Sequence, residues 1–194
     1  MKCPGVFRWV CLAFFSAVLA FGLAQPVCTS VAPGPGEEGE LTMTVSSPAF
    51  ADGGRIPAKY TCSGENMSPP LTWGGQPAAT KVFALVVDDP DAPGGVFTHW
   101  IVFNLPPDSR QLPEAVPTQE QLSNGALQGE NDFGSTGYGG PCPPPGEGVH
   151  HYEFTVYALD KALDPLAGVS GEMLKNAMHG HILARGQLTG TFER

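Results

Sequence analysis

Two short apolar runs, joined by a segment rich in proline and glycine, constrain the fold more than any other feature of this sequence. Residues 82–87 read Val-Phe-Ala-Leu-Val-Val, and residues 100–103 read Trp-Ile-Val-Phe. Both runs are short and rich in β-branched and aromatic side chains, which favours buried central strands over helices. The connection over residues 90–97 is too short for a crossover helix. The two strands are therefore predicted to be antiparallel or joined by a compact loop.

The remaining chain predicts more strands and little helix. Its 25 Gly and 20 Pro among 194 residues argue against a helical bundle. Further strands are predicted at 41–45, 150–159 and 182–192, and apolar residues alternate in the first two. One helix is predicted, with Ser170 as its cap, Gly180 as its end and an apolar stripe of Met173, Leu174, Ala177 and Met178. The fold class is thus mainly β, with two packed antiparallel sheets and one or two small helices near the C-terminus.

A long irregular region separates these elements. Residues 108–148 lack apolar periodicity and include the run Gly-Tyr-Gly-Gly-Pro-Cys-Pro-Pro-Pro-Gly at 137–146. Stretches of this length without secondary structure are uncommon inside a compact domain and are usually functional. We therefore expect this region to contribute to a site.

The N-terminus is predicted to be an export signal. Lys2 and Arg8 precede a nearly unbroken apolar run over 10–23, and small residues follow it, as in a secretory signal peptide at residues 1–24. A membrane anchor is the alternative, but the run falls short of the roughly 20 residues that cross a bilayer. Residues 25–40, rich in Pro, Gly and Glu, are predicted to be a flexible linker before a domain at 41–194. The protein is expected to be periplasmic or secreted.

Three cysteines remain once that signal is removed. Cys28, Cys62 and Cys142 would then enter an oxidising compartment, where disulfides persist. Because Cys28 lies in the predicted linker, a bridge between Cys62 and Cys142 is favoured, although sequence alone does not determine the connectivity. A lipid anchor on Cys28 is an alternative, but Pro26 and Val27 are poor substitutes for the small residue expected before a lipidated cysteine.

The charge of the chain excludes one class of function. The formal net charge is −9 at pH 7, from 10 basic and 19 acidic side chains. A chain this acidic is repelled by a phosphate backbone, so no nucleic-acid partner is expected.

Several short segments, taken in order, resemble one family. They are Asp-Asp-Pro-Asp-Ala-Pro at 88–93, Thr-His-Trp at 98–100, Gly-Gly-Pro at 139–141 and His-His-Tyr at 150–152. Supporting segments are Tyr-Thr-Cys-Ser-Gly at 60–64 and Ser-Pro-Pro-Leu-Thr-Trp at 68–73. In order and spacing these resemble the signature regions of the phosphatidylethanolamine-binding protein family, and most closely its bacterial Raf-kinase-inhibitor-like branch.

The resemblance implies a β-sandwich with a small pocket for phosphate, acetate or a phosphoethanolamine-like head group. Carried onto this chain, the pocket residues would be Asp89, Pro93, His99, Gly140, Pro141, His150 and Tyr152. Asp91 belongs to the same motif and is expected to hold the loop. Two departures concern the pocket rim: His151 stands where many members have Arg, and the 142–149 loop is longer than in eukaryotic members.

The residue types allow the same chemistry without the resemblance. The imidazoles of His99 and His150 and the hydroxyl of Tyr152 could donate hydrogen bonds to an anion, and glycines at 139 and 140 let backbone N–H groups approach closely. Anion binding is expected to strengthen as the pH falls through about 6.5, the ordinary pKa of histidine. A carboxylate at Asp89 would repel a dianion, unless it orients an imidazole or accepts from a ligand P–OH or ammonium group.

Three functions of different classes follow from these residues. The first is a non-enzymatic binding protein for a phosphate-bearing or anionic ligand. The second is an inhibitor of a partner enzyme, for which an extracytoplasmic protease is a better partner than a kinase. The third is an enzyme, but the sequence contains no Gly-x-Ser-x-Gly, His-Glu-x-x-His or Walker motif, so no catalytic residue, metal or cofactor is predicted. The resemblance also leads us to expect a homodimer.

Overall fold

The computed structural model describes residues 41–164 and 168–194, so the predicted signal peptide and linker lie outside the described residues. The strands are β1 Leu41–Thr42, β2 Thr44–Ser46, β3 Gly54–Arg55, β4 Leu71–Gly74, β5 Val82–Asp89, β6 Phe97–Leu105, β7 Gln111–Leu112, β8 Leu127–Gln128, β9 His150–Leu159 and β10 Ile182–Phe192. A short 3-10 helix spans Ala58–Tyr60, and the helix α1 spans Gly171–Met178. None of the helices in this part of the chain is long and apolar enough to span a membrane.

The strands form two sheets, as predicted. The larger sheet has the order β1-β10-β9-β5-β6-β8, with β3 also paired to β10, and the smaller has the order β2-β4-β7. The four long strands pair antiparallel, which confirms the predicted arrangement of the two apolar runs. Two short segments, β1 and β3, run parallel to β10, which the sequence did not predict.

The apolar runs are continuous because both faces of the larger sheet are covered. On β5, Phe83, Leu85 and Val87 pack in the core between the two sheets. The alternate residues Ala84 and Val86 belong to a second cluster, which contains Leu174 and Met178 of α1. A strand that is buried on both faces has no polar face, so its sequence shows no alternation.

Two local predictions were wrong. The alternation at 41–45 predicted one strand, but the chain leaves the larger sheet after β1 and enters the smaller sheet as β2, with Met43 buried between them. The helix stripe was also shifted. Ser170 accepts a hydrogen bond from the Met173 amide as predicted, but Met173 and Ala177 are exposed, and the buried face consists of Gly171, Leu174 and Met178.

Candidate functional site

The candidate site lies where three long strands meet at one end of the larger sheet. β5 ends at Asp89, and its two antiparallel neighbours, β6 and β9, begin at Phe97 and His150. Because β5 runs antiparallel to both, its last residues lie beside their first residues. This topology brings Asp89, His99 and His150 together from distant parts of the sequence.

An irregularity in β6 determines which way His99 faces. Opposite β5, the pairing steps from Val87–Trp100 to Asp88–Thr98, so β6 has one residue more than β5 at this point. Such a bulge re-aims a side chain. Thr98 therefore lies on the side of α1, where it packs against Gly171, and His99 packs against Tyr152 on the other side.

A buried pair, Asp89 and His150, forms the floor of the site. The Nδ1 atom of His150 is 2.8 Å from Oδ2 of Asp89, and each side chain is only 4% exposed. The other carboxylate oxygen, Oδ1, accepts from the Asp91 amide at 2.9 Å. Because a carboxylate accepts hydrogen bonds, Nδ1 of His150 is the donor and Nε2 is the ring nitrogen that remains for a ligand.

The second imidazole, His99, is held by the irregular region. Its Nδ1–H donates to the carbonyl oxygen of Gly139 at 2.7 Å, and the Gly139 amide donates to the His99 carbonyl. Burial lowers the pKa of His99 below its ordinary 6.5, although the Gly139 carbonyl and the charge of Asp89 act in the opposite direction. At neutral pH the ring is therefore uncharged, with a hydrogen on Nδ1 and a lone pair on Nε2.

Tyr152 lies beneath the two imidazoles. Its ring meets that of His99 edge to face, with centroids 5.1 Å apart. The hydroxyl is buried near the Asp89 carboxylate, and among the described residues it makes no hydrogen bond of good geometry. Burial raises the pKa of Tyr152 strongly, and the nearby negative charge of Asp89 raises it further, so the hydroxyl keeps its proton.

The side chains of Asp89, His99 and His150 border a cavity of about 330 Å³. The residues that line it are Asp89, Ala92, Pro93, Phe97, His99, Phe133, Cys142, Pro143, Pro144 and His150. Phe97 and Phe133 lie edge to face with centroids 4.7 Å apart, and both rings approach His99. The cavity thus has apolar and aromatic walls with a few polar groups, as small-ligand sites commonly do.

The structure brings together four of the seven residues that the resemblance implied for the pocket. Asp89, Pro93, His99 and His150 line the cavity. Gly140 instead lines a neighbouring cavity of about 280 Å³. Among the described residues, the linings of these two cavities contain neither Pro141 nor Tyr152, although Tyr152 contacts His99.

The two glycines do not offer free amides to an anion. The Gly140 amide donates to Oδ1 of Asn66 at 2.8 Å, and the Gly139 amide is already bonded to His99. A side chain at 140 would lie 2.5 Å from the Tyr60 carbonyl oxygen. Glycine is needed there because the irregular region packs closely against the 3-10 helix.

Asp91 connects the loop after β5 to the start of β9. Its Oδ2 accepts from both the amide and Nδ1 of His151, at 2.8 and 2.7 Å. The hydrogen bond to the His151 ring is the main cause that lowers the pKa of Asp91 below its ordinary value. Asp91 therefore holds the loop, and His151 lies on the exposed face of β9, opposite to His150.

The aromatic wall was missed by sequence reasoning. Phe97 precedes the second apolar run, and Phe133 lies in the irregular region, where no periodicity indicates direction. The signal that could have found Phe133 is the Asn131-Asp132-Phe133-Gly134 turn. In it, Asn131 accepts from the Phe133 and Ser135 amides.

The favoured disulfide is present in the structure. Cys62 and Cys142 are bridged across 80 residues, with their Cα atoms 5.4 Å apart. The bridge holds residue 142, a part of the cavity wall, beside the 3-10 helix. Disulfides persist in oxidising compartments, so this finding favours an exported protein.

Comparisons with known proteins identify the family of this chain. The family model for phosphatidylethanolamine-binding protein matches residues 46–193. A UPF0098 protein of Methanothermobacter thermautotrophicus is 53% identical over 152 residues, which cover 78% of this chain and 99% of that protein. LppC of Mycobacterium tuberculosis, whose name marks it as a candidate lipoprotein, is 43% identical over 83% of this chain and 76% of its own length.

Two solved structures share the fold. The Chlamydia trachomatis phosphatidylethanolamine-binding protein homologue CT736 has a TM-score of 0.71 and 42% identity, covering 79% of this chain and 98% of that one. Escherichia coli YbcL, described as a member of the mammalian family, has a TM-score of 0.73 and 36% identity, covering 78% of this chain and 98% of that one. The match over most of the chain, together with the two-sheet fold, shows that this protein belongs to the phosphatidylethanolamine-binding protein family.

Proposed function

We propose that this protein is a non-enzymatic binding protein whose cavity holds a small phosphate-bearing or other anionic group, such as a phosphoethanolamine-like head group. The main support is the placement of two histidines at the cavity. Two buried imidazoles, His99 and His150, border one cavity, and each has its Nδ1 engaged by the protein and its Nε2 left for a ligand.

The size and walls of the cavity support a small ligand. A volume of about 330 Å³ is near the lower end of the range for small-molecule sites. Phe97, Phe133, Pro143 and Pro144 supply apolar walls beside the polar floor. In such an environment hydrogen bonds to a charged group are stronger than in water.

The chemistry of the lining favours binding over catalysis. The sulfur of Cys142 is held in the disulfide, so it is not available as a nucleophile. Both oxygens of Asp89 already accept hydrogen bonds from the protein, which suits a carboxylate that orients an imidazole. We propose that the bound ligand leaves the site chemically unchanged.

Calorimetric titration of the purified protein with inorganic phosphate and O-phosphoethanolamine tests this function. We expect binding that weakens at least tenfold in His99→Ala, because the variant loses a polar group of the cavity. His181→Gln is the matched control, since His181 lies on the surface beside Asp160. Mass spectrometry should recover O-phosphoethanolamine intact. Equal affinities in wild type and His99→Ala, or no binding at all, would contradict the proposed site.

A further inference from the structure

We propose that the cavity selects a phosphate group that carries one proton, and therefore prefers phosphate monoesters or free phosphate to phosphodiesters and sulfate esters. This inference rests on the proposed function and specifies its ligand. It follows from the hydrogen bonds that His99 and His150 already make within the protein, because these determine whether the other ring nitrogen donates or accepts.

The imidazole nitrogen of His99 that remains for a ligand is a hydrogen-bond acceptor. The carbonyl of Gly139 can only accept, so the hydrogen of a neutral His99 ring is on Nδ1 and its Nε2 is an acceptor. Both oxygens of the Asp89 carboxylate already accept hydrogen bonds, from the Asp91 amide and from His150, so Nε2 of His99 is an acceptor that is left for a ligand. A ligand that brings no donor leaves this acceptor without a hydrogen bond where the ligand displaces water, which is costly. A P–OH group supplies that donor.

The described residues that line the cavity include no Lys or Arg. The acidic charges that influence His99 are those of Asp88 and Asp89 on β5 and Asp132 in the irregular region, and the titratable groups of β9 on this side are His150 and Tyr152. Lys175, the nearest base of α1, is paired with Asp88 at 2.7 Å. A dianion would meet little compensating charge here.

The Nδ1–H of His150 is directed to Asp89, and Asp91 lies nearby. With Nδ1 as the donor, Nε2 of an uncharged His150 ring is a second acceptor on the lining of the cavity. A hydrogen phosphate monoester differs from a diester or a sulfate ester because it brings one P–OH, which can donate to either imidazole.

The diester of an intact phospholipid head group has no P–OH. Dimethyl phosphate reproduces that diester, and methyl sulfate reproduces the shape and single charge of protonated methyl phosphate without its proton. The three probes therefore separate the effect of the proton from the effects of charge and tetrahedral shape.

Titration calorimetry with these three probes at pH 5.5 tests the inference. We expect methyl phosphate to bind at least tenfold more tightly than either dimethyl phosphate or methyl sulfate. The ratio of methyl phosphate to methyl sulfate affinity should then fall as the pH rises above about 6, where a phosphate monoester loses its second proton. Taking this ratio removes the part of the protein's own titration that affects both probes equally. Inorganic phosphate, titrated in parallel, distinguishes free phosphate from an ester as the preferred source.

His99→Gln is the informative variant. Its amide can rotate to present either a donor or an acceptor, so the preference for methyl phosphate over methyl sulfate should fall towards one. His181→Gln should keep the wild-type ratio. If His99→Gln fails to fold, the wild-type ratio still decides the question. Equal binding of the three probes would overturn this inference and leave the proposed function standing, whereas no binding of any phosphate at any pH would overturn both.

Discussion

At the scale of single residues, His99 is a buried base whose folded environment favours its neutral form. Its pKa is lowered by burial, so the unfolded chain takes up a proton before the folded chain does. The folded state therefore loses stability as the pH falls below about 6.5, and each unit by which the pKa is lowered contributes about 1.4 kcal/mol. Above that pH both states are neutral and the effect vanishes.

The variant His99→Asn should show a flatter pH dependence, because its amide can still donate to the Gly139 carbonyl but does not titrate. The measurement is urea unfolding between pH 5 and 8 in buffers without phosphate. His181→Asn is the control, because His181 lies on the surface beside Asp160. If the free energy of unfolding changes with pH equally in wild type and His99→Asn, His99 titrates alike in the folded and unfolded states, which would contradict the prediction.

Two buried tyrosines offer a matched pair of variants. The Tyr138 hydroxyl donates to the Tyr60 carbonyl at 2.7 Å, whereas the Tyr152 hydroxyl, near Asp89, makes no hydrogen bond of good geometry to a described residue. Tyr138→Phe should lower the free energy of unfolding by about 1–3 kcal/mol, because it leaves a buried carbonyl unsatisfied. Tyr152→Phe should leave the unliganded stability unchanged or raise it by up to about 1 kcal/mol. Thermal and urea unfolding measure both, and an equal loss in the two variants would argue that Tyr152 has a partner.

At the scale of elements, the docking of α1 depends on the absence of a side chain at Gly171. A Cβ there would collide with Oγ1 of Thr98 and lie 3.0 Å from its Cγ2, and Thr98 is itself bonded to Asp88. Alanine normally favours a helix by up to about 1 kcal/mol over glycine. Here Gly171→Ala should instead destabilise the protein by about 1–3 kcal/mol, as overpacking does.

Asn176→Ala introduces the same residue on the exposed face of the same helix. It should be neutral or slightly stabilising. Urea unfolding of the two variants separates helix propensity from packing. A Gly171→Ala variant as stable as Asn176→Ala would mean that the helix can move away from β6 at little cost.

At the scale of the whole molecule, the disulfide joins two irregular segments that no pair of strands connects. Removing it in a Cys62→Ser, Cys142→Ser double variant should lower the free energy of unfolding by about 2–4 kcal/mol. Thermal unfolding measures the loss. A thiol titration of denatured protein should find two fewer free thiols before reduction than after. Equal thiol counts would show that the bridge does not form.

Much of the fold could be predicted because the relevant signals are local. The runs at 82–87 and 100–103, the alternation from His150 to Ala158 and the cap at Ser170 each correspond to an element in the structure. The errors occurred where a contact between residues far apart in the sequence determines whether a side chain is buried. Met43 is buried at a crossing between sheets, and Met173 is exposed because Gly171 faces Thr98.

The sequence by itself determined the fold class, the family and four of the residues that line the cavity, because strand patterns and motif spacing are properties of neighbouring residues. Only the tertiary structure decided which way those side chains face and which hydrogen bonds they make. The bulge opposite β5 turns His99 towards Tyr152, and the Gly139 carbonyl determines which ring nitrogen carries the hydrogen. Both result from the pairing of segments far apart in the chain. The sequence names the residues, but it does not state which of their atoms donates a hydrogen bond and which accepts it.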